Sequence, residues 1–437
     1  MSRKSPTTAQ SWLCFLFEFA FCAEPYYFKP MTTTITREFI EKLPKTDLHV
    51  HLDGSIRIPT LIELAKETRV DLPSYTEEGL RETVFKDEYA NLGEYLKGFG
   101  LTTAVMQSRE QIERIAYELA MDNLAEGVRY IEVRFAPQLH AKKGFDTIDV
   151  MRAVSDGLER AKREFNGRPE VSDGSEPPFA YGIIACAMRF FKERYSGFYH
   201  SFLELHRYSE PDQVYALASL ELARAAAQAR HDEGLAVVGF DLAGVEEGYP
   251  PMRYKEAYDF AHRNFLKKTV HAGEDYGPES IFQAITELHA DRIGHATSLL
   301  NPDAIRSKLI KDRERYVRNL AQFIADRRIT LEICLTSNQQ TNPAYRQLSD
   351  HPFGKMMDYK LSVTLCTDNR TVSNTTMTDE IHKAVTTFNL GMKDLKNILV
   401  YGFKRSFFPG DYPTKRAYVR RCMNYFEKIE KERDDQA

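Results

Sequence analysis

Short apolar runs alternate with longer stretches of helical spacing along most of this chain. In residues 46–52, Leu48, Val50 and Leu52 take one side of a strand while His49 and His51 take the other, the period of two that a strand imposes. Residues 128–137, 181–188, 236–244, 268–274, 292–296, 329–336 and 362–367 read as seven more short strands, most of them nearly continuous in apolar residues. Between them, helical spacing covers 36–43, 55–69, 109–126, 147–164, most of 198–233, 254–264, 280–289, 316–327 and 352–358, and a charged helix closes the chain at 414–435. Pro44 ends the first helix, and Ser108 is placed to cap the helix that starts at 109. Residues 77–107 mix helix and loop and are long enough to lie over a site as a lid, while Gly, Ser, Pro and acids mark 166–178 as a surface loop.

Strands without a clean polar face are buried on both sides, and strands that alternate with helices pair in parallel. Eight of them predict an α/β fold, a closed (β/α)8 TIM barrel with extra helices and a helical lid region, in preference to an open doubly wound sheet. No linker interrupts residues 31–437, which read as a single barrel domain. Residues 1–30 read as a poorly structured extension. Arg3 and Lys4 precede an apolar stretch at 12–23 that resembles an export signal, but Glu18 interrupts it and bulky Phe21 stands where a small residue is wanted. Met31 stands as a candidate native start.

Composition narrows the partners. At 437 residues, 43% hydrophobic and 28% charged, the chain can bury a large core. A formal net charge of −4 with interspersed signs gives no electrostatic reason to expect nucleic acid, and no apolar run is long enough to predict a membrane span. Six scattered cysteines, without Cys-x-x-Cys, suit a reducing cytoplasm. A small-molecule ligand is the expected partner; the sequence does not set the oligomeric state.

Barrel chemistry belongs at the C-terminal strand ends, and polar residues recur there: His49, His51 and Asp53, then Asp241 and Gly244, His271 and Glu274, His295, Ser337 and Asn338, Asp368 and Asn369. Same-face residues two apart lie roughly 7 Å apart, so His49 and His51 could share a metal, zinc first, or could be hydrogen-bonded strand-end groups. Any one of these residues could be a satisfied strand terminus. So many ionisable groups in one barrel mouth are costly unless a metal or mutual pairing offsets them.

The segments His49-Val50-His51-Leu52-Asp53-Gly54-Ser55, Asp241-Leu242-Ala243-Gly244, His271-Ala272-Gly273-Glu274, Gly294-His295-Ala296 and Thr367-Asp368 resemble, in order, the motifs of the adenosine deaminase family, zinc enzymes of the amidohydrolase superfamily. The resemblance implies one Zn2+ per subunit on His49, His51, His271 and Asp368, and catalytic roles for Glu274, His295 and Asp368. Glu274 would donate a proton to N1 of the purine as water attacks C6, while His295 and Asp368 would orient that water and manage its proton. It also implies substrate contacts at His51, at Asp53 to the ribose, at Gly244 through its backbone N–H to N3, and at Asn369. Asp241 and Ser337 would support ligands from behind.

Asp53 matches adenosine deaminases, whereas relatives acting on adenine or aminofutalosine tend to carry Glu there. Asn369 departs from the second acid of many relatives, and its amide could serve N7 as a donor without needing to be protonated. The implied activity is hydrolytic deamination of adenosine and 2′-deoxyadenosine in purine salvage. The alternatives are a deaminase of adenine or of a 5′-modified adenosine such as aminofutalosine, and a non-catalytic nucleoside-binding barrel. The Pro-Cys-x-x-Cys motif of cytidine-type deaminases is absent.

Overall fold

The apolar runs become β1 (Lys45–His51), β2 (Val128–Phe135), β3 (Ala180–Met188), β4 (Val237–Ala243), β5 (Lys267–Ala272), β6 (Arg292–His295), β7 (Thr330–Ile333) and β8 (Ser362–Leu365) in a computed structural model that describes residues 35–435. Among the described residues these eight strands pair in parallel and in chain order. The seam between β8 and β1 is closed just beyond β8: His51 N–H donates to Asp368 O at 2.7 Å and Asp368 N–H to His49 O at 2.8 Å. The (β/α)8 barrel is therefore the observed fold, and two of its candidate ligand segments form the closing seam.

Helices wrap the outside where their spacing places them. Arg109–Ala125 starts at the expected Ser108 in a reciprocal capping box with Gln111, and Thr147–Asn166 starts at Asp146 in the same arrangement with Asp149. The two pack against each other beside β2 and β3. Expected helix 198–233 is two helices, Gly197–Leu205 and Pro211–His231, because Pro211 starts a new first turn. Expected strand 329–336 stops at Ile333, and Leu335–Thr341 is a short helix that carries Asn338 in its first turn. Two helices missing from the sequence reading, Met377–Thr387 and Met392–Arg405, follow β8, and the second packs on β8 and β1 across the seam.

Residues 77–107 fold into the short helices Glu77–Thr83, Leu92–Tyr95 and Phe99–Ala104 over the barrel mouth. No helix among the described residues is long and apolar enough to cross a membrane. The expectations for residues 1–30 fall outside the described residues.

Candidate active site

A cavity of about 850 Å³ opens at the C-terminal end of the barrel. His51, Asp53, Gly244, His271, Glu274, His295, Asp368 and Asn369 line it, and His49 lies fully buried beneath. The structure thus brings together every residue the sequence nominated for metal, substrate or proton transfer. Its walls include Leu92, Leu96 and Phe99 from the lid and Phe190 and Tyr195 from the segment after β3.

Donor atoms converge at the floor. Those of His49, His271, His295 and Asp368 all lie within 4.8 Å of one another. His51 joins them: its Nε2 is 3.2 Å from His271 Nε2 and 3.5 Å from Asp368 Oδ1, the same distance that separates His49 Nε2 from that oxygen. His49 Nε2 is buried and has no hydrogen-bond partner among the described residues. Burial keeps His51, His271 and His295 below the usual histidine range, so their rings offer neutral lone pairs. Neutral imidazoles, one carboxylate and an orphaned ring nitrogen fit a zinc ion, whose usual site has four such donors.

The rings are held from behind by charges in the barrel interior. His49 Nδ1 faces Glu332 Oε2 at 2.8 Å and His271 Nδ1 faces Asp241 Oδ2 at 3.1 Å, which turns both Nε2 atoms toward the floor. Arg134 joins the two carboxylates, 2.9 Å from each, and donates to Leu48 O at 2.7 Å. Glu332 also accepts from Thr269 Oγ1 and from Arg292 Nε, while Arg292 pairs with Glu132. Although burial opposes ionisation, His271 and Arg134 hold Asp241, and Arg134 and Arg292 hold Glu332, well below the usual carboxylate range. Arg134 and Glu332 were missed in the sequence. Their signal was a charged residue inside a predicted strand, Arg134 two residues from Glu132 in β2 and Glu332 between apolar neighbours in β7. Asp241 supports His271 as expected, but Ser337 bonds only within its own helix, to Cys334 O, and Asn338 reaches His295 instead.

Across the floor, burial and the charges of Asp368 and Glu246 push the Glu274 carboxyl well above its ordinary range, which favours its protonated form. Glu246, also missed, accepts from the N–H groups of Gly273 and Glu274 at 3.1 Å each and fixes the turn that aims Glu274. Gly244 has φ +101°, a conformation that suits glycine and leaves its backbone bare to the cavity. His295 and Asp368 hold left-handed φ of 63° and 60° without being glycine, local strain of the kind that clusters at working sites. Asp53 Oδ1 is buried without a hydrogen-bond partner among the described residues, and burial raises this carboxyl to about 7. Asn369 Nδ2 donates to Tyr95 Oη of the lid at 2.7 Å, and its side chain packs where a Cβ on Gly54 would collide.

The adenosine deaminase family profile matches residues 44–198 and 205–421. The chain belongs to the adenosine deaminase family. An adenosine deaminase of Mycobacterium avium is 35% identical over 385 residues, covering 87% of this chain and 95% of its own length. A Dictyostelium discoideum protein described as a probable adenosine deaminase is 34% identical over 90% of this chain, which spans only 44% of that longer relative. Among solved structures, the Arabidopsis N6-mAMP deaminase is 25% identical with a TM-score of 0.66, over 89% of this chain and 99% of its own. An amidohydrolase solved with bound Zn shares the fold at 20% identity and TM-score 0.70, covering 92% of this chain and 96% of that one.

Proposed function

We propose that this family member hydrolyses adenosine and 2′-deoxyadenosine to the inosine nucleoside and ammonia, with Zn2+ held by His49, His51, His271 and Asp368. The observation that carries the reading is the placement of Glu274, whose carboxyl burial shifts toward the protonated form, across one cavity from those converging donors. Zinc in that position supplies Lewis acidity, lowering the pKa of water toward neutrality. His295 and Asp368 orient the water that attacks C6, and Asp368 takes up its proton. Glu274 delivers a proton to N1, which carries the electron pair displaced from the ring during attack. Asp368 then returns its proton to the C6 amino group, the C6–N bond breaks with ammonia as the leaving group, and the C6 hydroxyl gives its proton to the Glu274 carboxylate to leave the product carbonyl.

Recognition is read from the remaining polar groups. Gly244 N–H serves N3 and Asn369 serves N7. Asp53 Oδ1 lacks a hydrogen-bond donor among the described residues, and a ribose hydroxyl would supply one, which supports a nucleoside over free adenine. A 5′-substituted adenosine is the second reading, favoured by a cavity toward the upper end of the usual range of about 300–1,000 Å³. Turnover of zinc-loaded protein on adenosine, 2′-deoxyadenosine, adenine and a 5′-modified adenosine tests both readings. Fastest turnover on adenosine supports the first, and no turnover on any of them despite bound zinc overturns both.

A further inference from the structure

Five donors surround the metal position where four would suffice, and closeness does not assign them: His295 rather than His51 falls in the set whose donor atoms lie within 4.8 Å of one another, although His51 Nε2 reaches His271 and Asp368. Hydrogen bonding behind His295 does assign them. The N–H of Phe353 opens the helix Phe353–Asp358, has no partner within that helix, and donates to His351 Nδ1 at 3.1 Å. A backbone N–H can only donate, so His351 Nδ1 carries no hydrogen and the hydrogen of the neutral ring sits on Nε2. That Nε2 lies 3.3 Å from Asn338 Oδ1 and donates to it. The amide of Asn338 is thereby oriented, and its Nδ2 donates to His295 Nδ1 at 3.0 Å. All three side chains are buried, and burial alone lowers His351 to about 3, which keeps it neutral at working pH.

We infer that the chain Phe353 N–H, His351, Asn338 is a positioning relay that fixes His295 as the Nε2–H tautomer, a hydrogen-bond donor to the reacting centre rather than a metal ligand. The contrast with the neighbouring rings carries the point. His49 and His271 have carboxylates behind Nδ1, which hold a hydrogen there and free Nε2 for a cation. His295 has an N–H donor behind Nδ1, which forces its hydrogen onto Nε2, 3.6 Å from Glu274 Oε2. His51 therefore completes the ligand set. The use made of the hydrogen rests on the deaminase reading, but the tautomer does not.

The test is a long-range proton–nitrogen correlation spectrum of the full chain labelled with 15N-histidine, metal-free and zinc-loaded, with His295 assigned by its loss in His295→Gln. A protonated Nε2 and bare Nδ1 at His295 in both forms is the expected result, and a hydrogen on Nδ1 in the wild type overturns the inference. Asn338→Asp reverses the polarity of the link. It should move the hydrogen to Nδ1, lower kcat about 10- to 100-fold with little change in KM, and weaken the visible absorption of the cobalt-substituted protein as a fifth ligand joins. His351→Gln keeps an acceptor for Phe353 N–H and a donor for Asn338, so it should retain the wild-type tautomer where His351→Phe does not. An unchanged tautomer in both Asn338→Asp and His351→Phe overturns the relay. Wild-type protein with the expected tautomer but no deaminase turnover overturns the proposed function and leaves the relay standing.

Discussion

Replacing Arg134 with Met tests whether the metal floor is organised by the charges beneath it. The guanidinium lies 2.9 Å from both Asp241 and Glu332, and all three side chains have zero exposure. Methionine fills much of the same volume and supplies none of the donors. Removing one partner of a buried pair costs about 3–5 kcal/mol, because the charge left behind is uncompensated. Glu332 keeps Arg292 and Asp241 keeps His271, which places the loss within that range rather than above it. Net stabilities of folded chains are about 5–15 kcal/mol, so a third or more of the total is at stake. Because the same carboxylates orient His49 and His271, zinc affinity should fall about 10- to 100-fold. Denaturant unfolding with and without zinc reads the first quantity, and competition against a chromogenic chelator reads the second. Arg134→Lys should recover only part of each, since a single ammonium cannot span both carboxylates as a planar fork does. A folded Arg134→Met protein with zinc affinity within about twofold of wild type, and less than about 1 kcal/mol of lost stability, would refute the reasoning.

Four other outcomes follow from the same geometry. Glu274→Gln should retain zinc, measured by metal analysis, and lose about 10²- to 10⁴-fold in kcat, the usual share of a general acid; full activity would rule out Glu274 as the proton donor. His271→Ala should be isolated without stoichiometric zinc, and a full complement of bound metal would remove it from the ligand set. Asp53→Ala should lower kcat/KM on adenosine about 10- to 100-fold, from loss of a hydrogen bond to a charged or partly charged group, and leave any rate on adenine unchanged; equal losses on both would argue against a ribose contact. Burial lowers His140 from 6.5 to about 4 in the folded state, so between those values the unfolded chain binds a proton that the folded chain does not. Its contribution to stability is complete above about pH 6.5 and is lost as pH falls toward 4, up to about 3 kcal/mol in all. His140→Phe should flatten the unfolding free energy across that window, and an unchanged slope would refute the assignment.

The barrel was legible because its strands are short, apolar and punctuated by residues that stop them. The same reading nominated the mouth residues because an ionisable side chain at a strand end has no packing reason to be there. What stayed hidden depends on register between distant strands. Arg134 is one of three charged residues in β2, with Arg129 and Glu132, and nothing sets it apart until β1, β4 and β7 bring His49, Asp241 and Glu332 to it. Ser337 and Asn338 are adjacent in sequence, and only the early start of a helix at Leu335 decides that the second one faces His295. The helices after β8 escaped notice because Thr386 and Thr387 and the break at Asn389–Gly391 dilute their spacing, and the apolar positions make sense only against the seam that Met392–Arg405 covers.

Charge balance links this hidden network to the chemistry above it. Glu132, Asp241, Glu332 and Asp368 bring four carboxylates to the barrel interior, while Arg134 and Arg292 bring two guanidiniums. Burial pushes Asp47, Asp53 and Glu274 toward their neutral forms, Asp47 to about 6 and Asp53 to about 7. Around the metal floor the buried carboxylates outnumber the guanidiniums bonded to them, and uncompensated charge is expensive in a low-dielectric interior. A divalent cation offsets that excess at the one place where ring nitrogens and Asp368 converge. The arginines cannot take over this task, because their donors are committed to the lower carboxylates. On this accounting the interior is a counter-charge built for a dication, and metal binding and barrel stability are coupled through Glu332 and Asp241 rather than being separate properties of one fold.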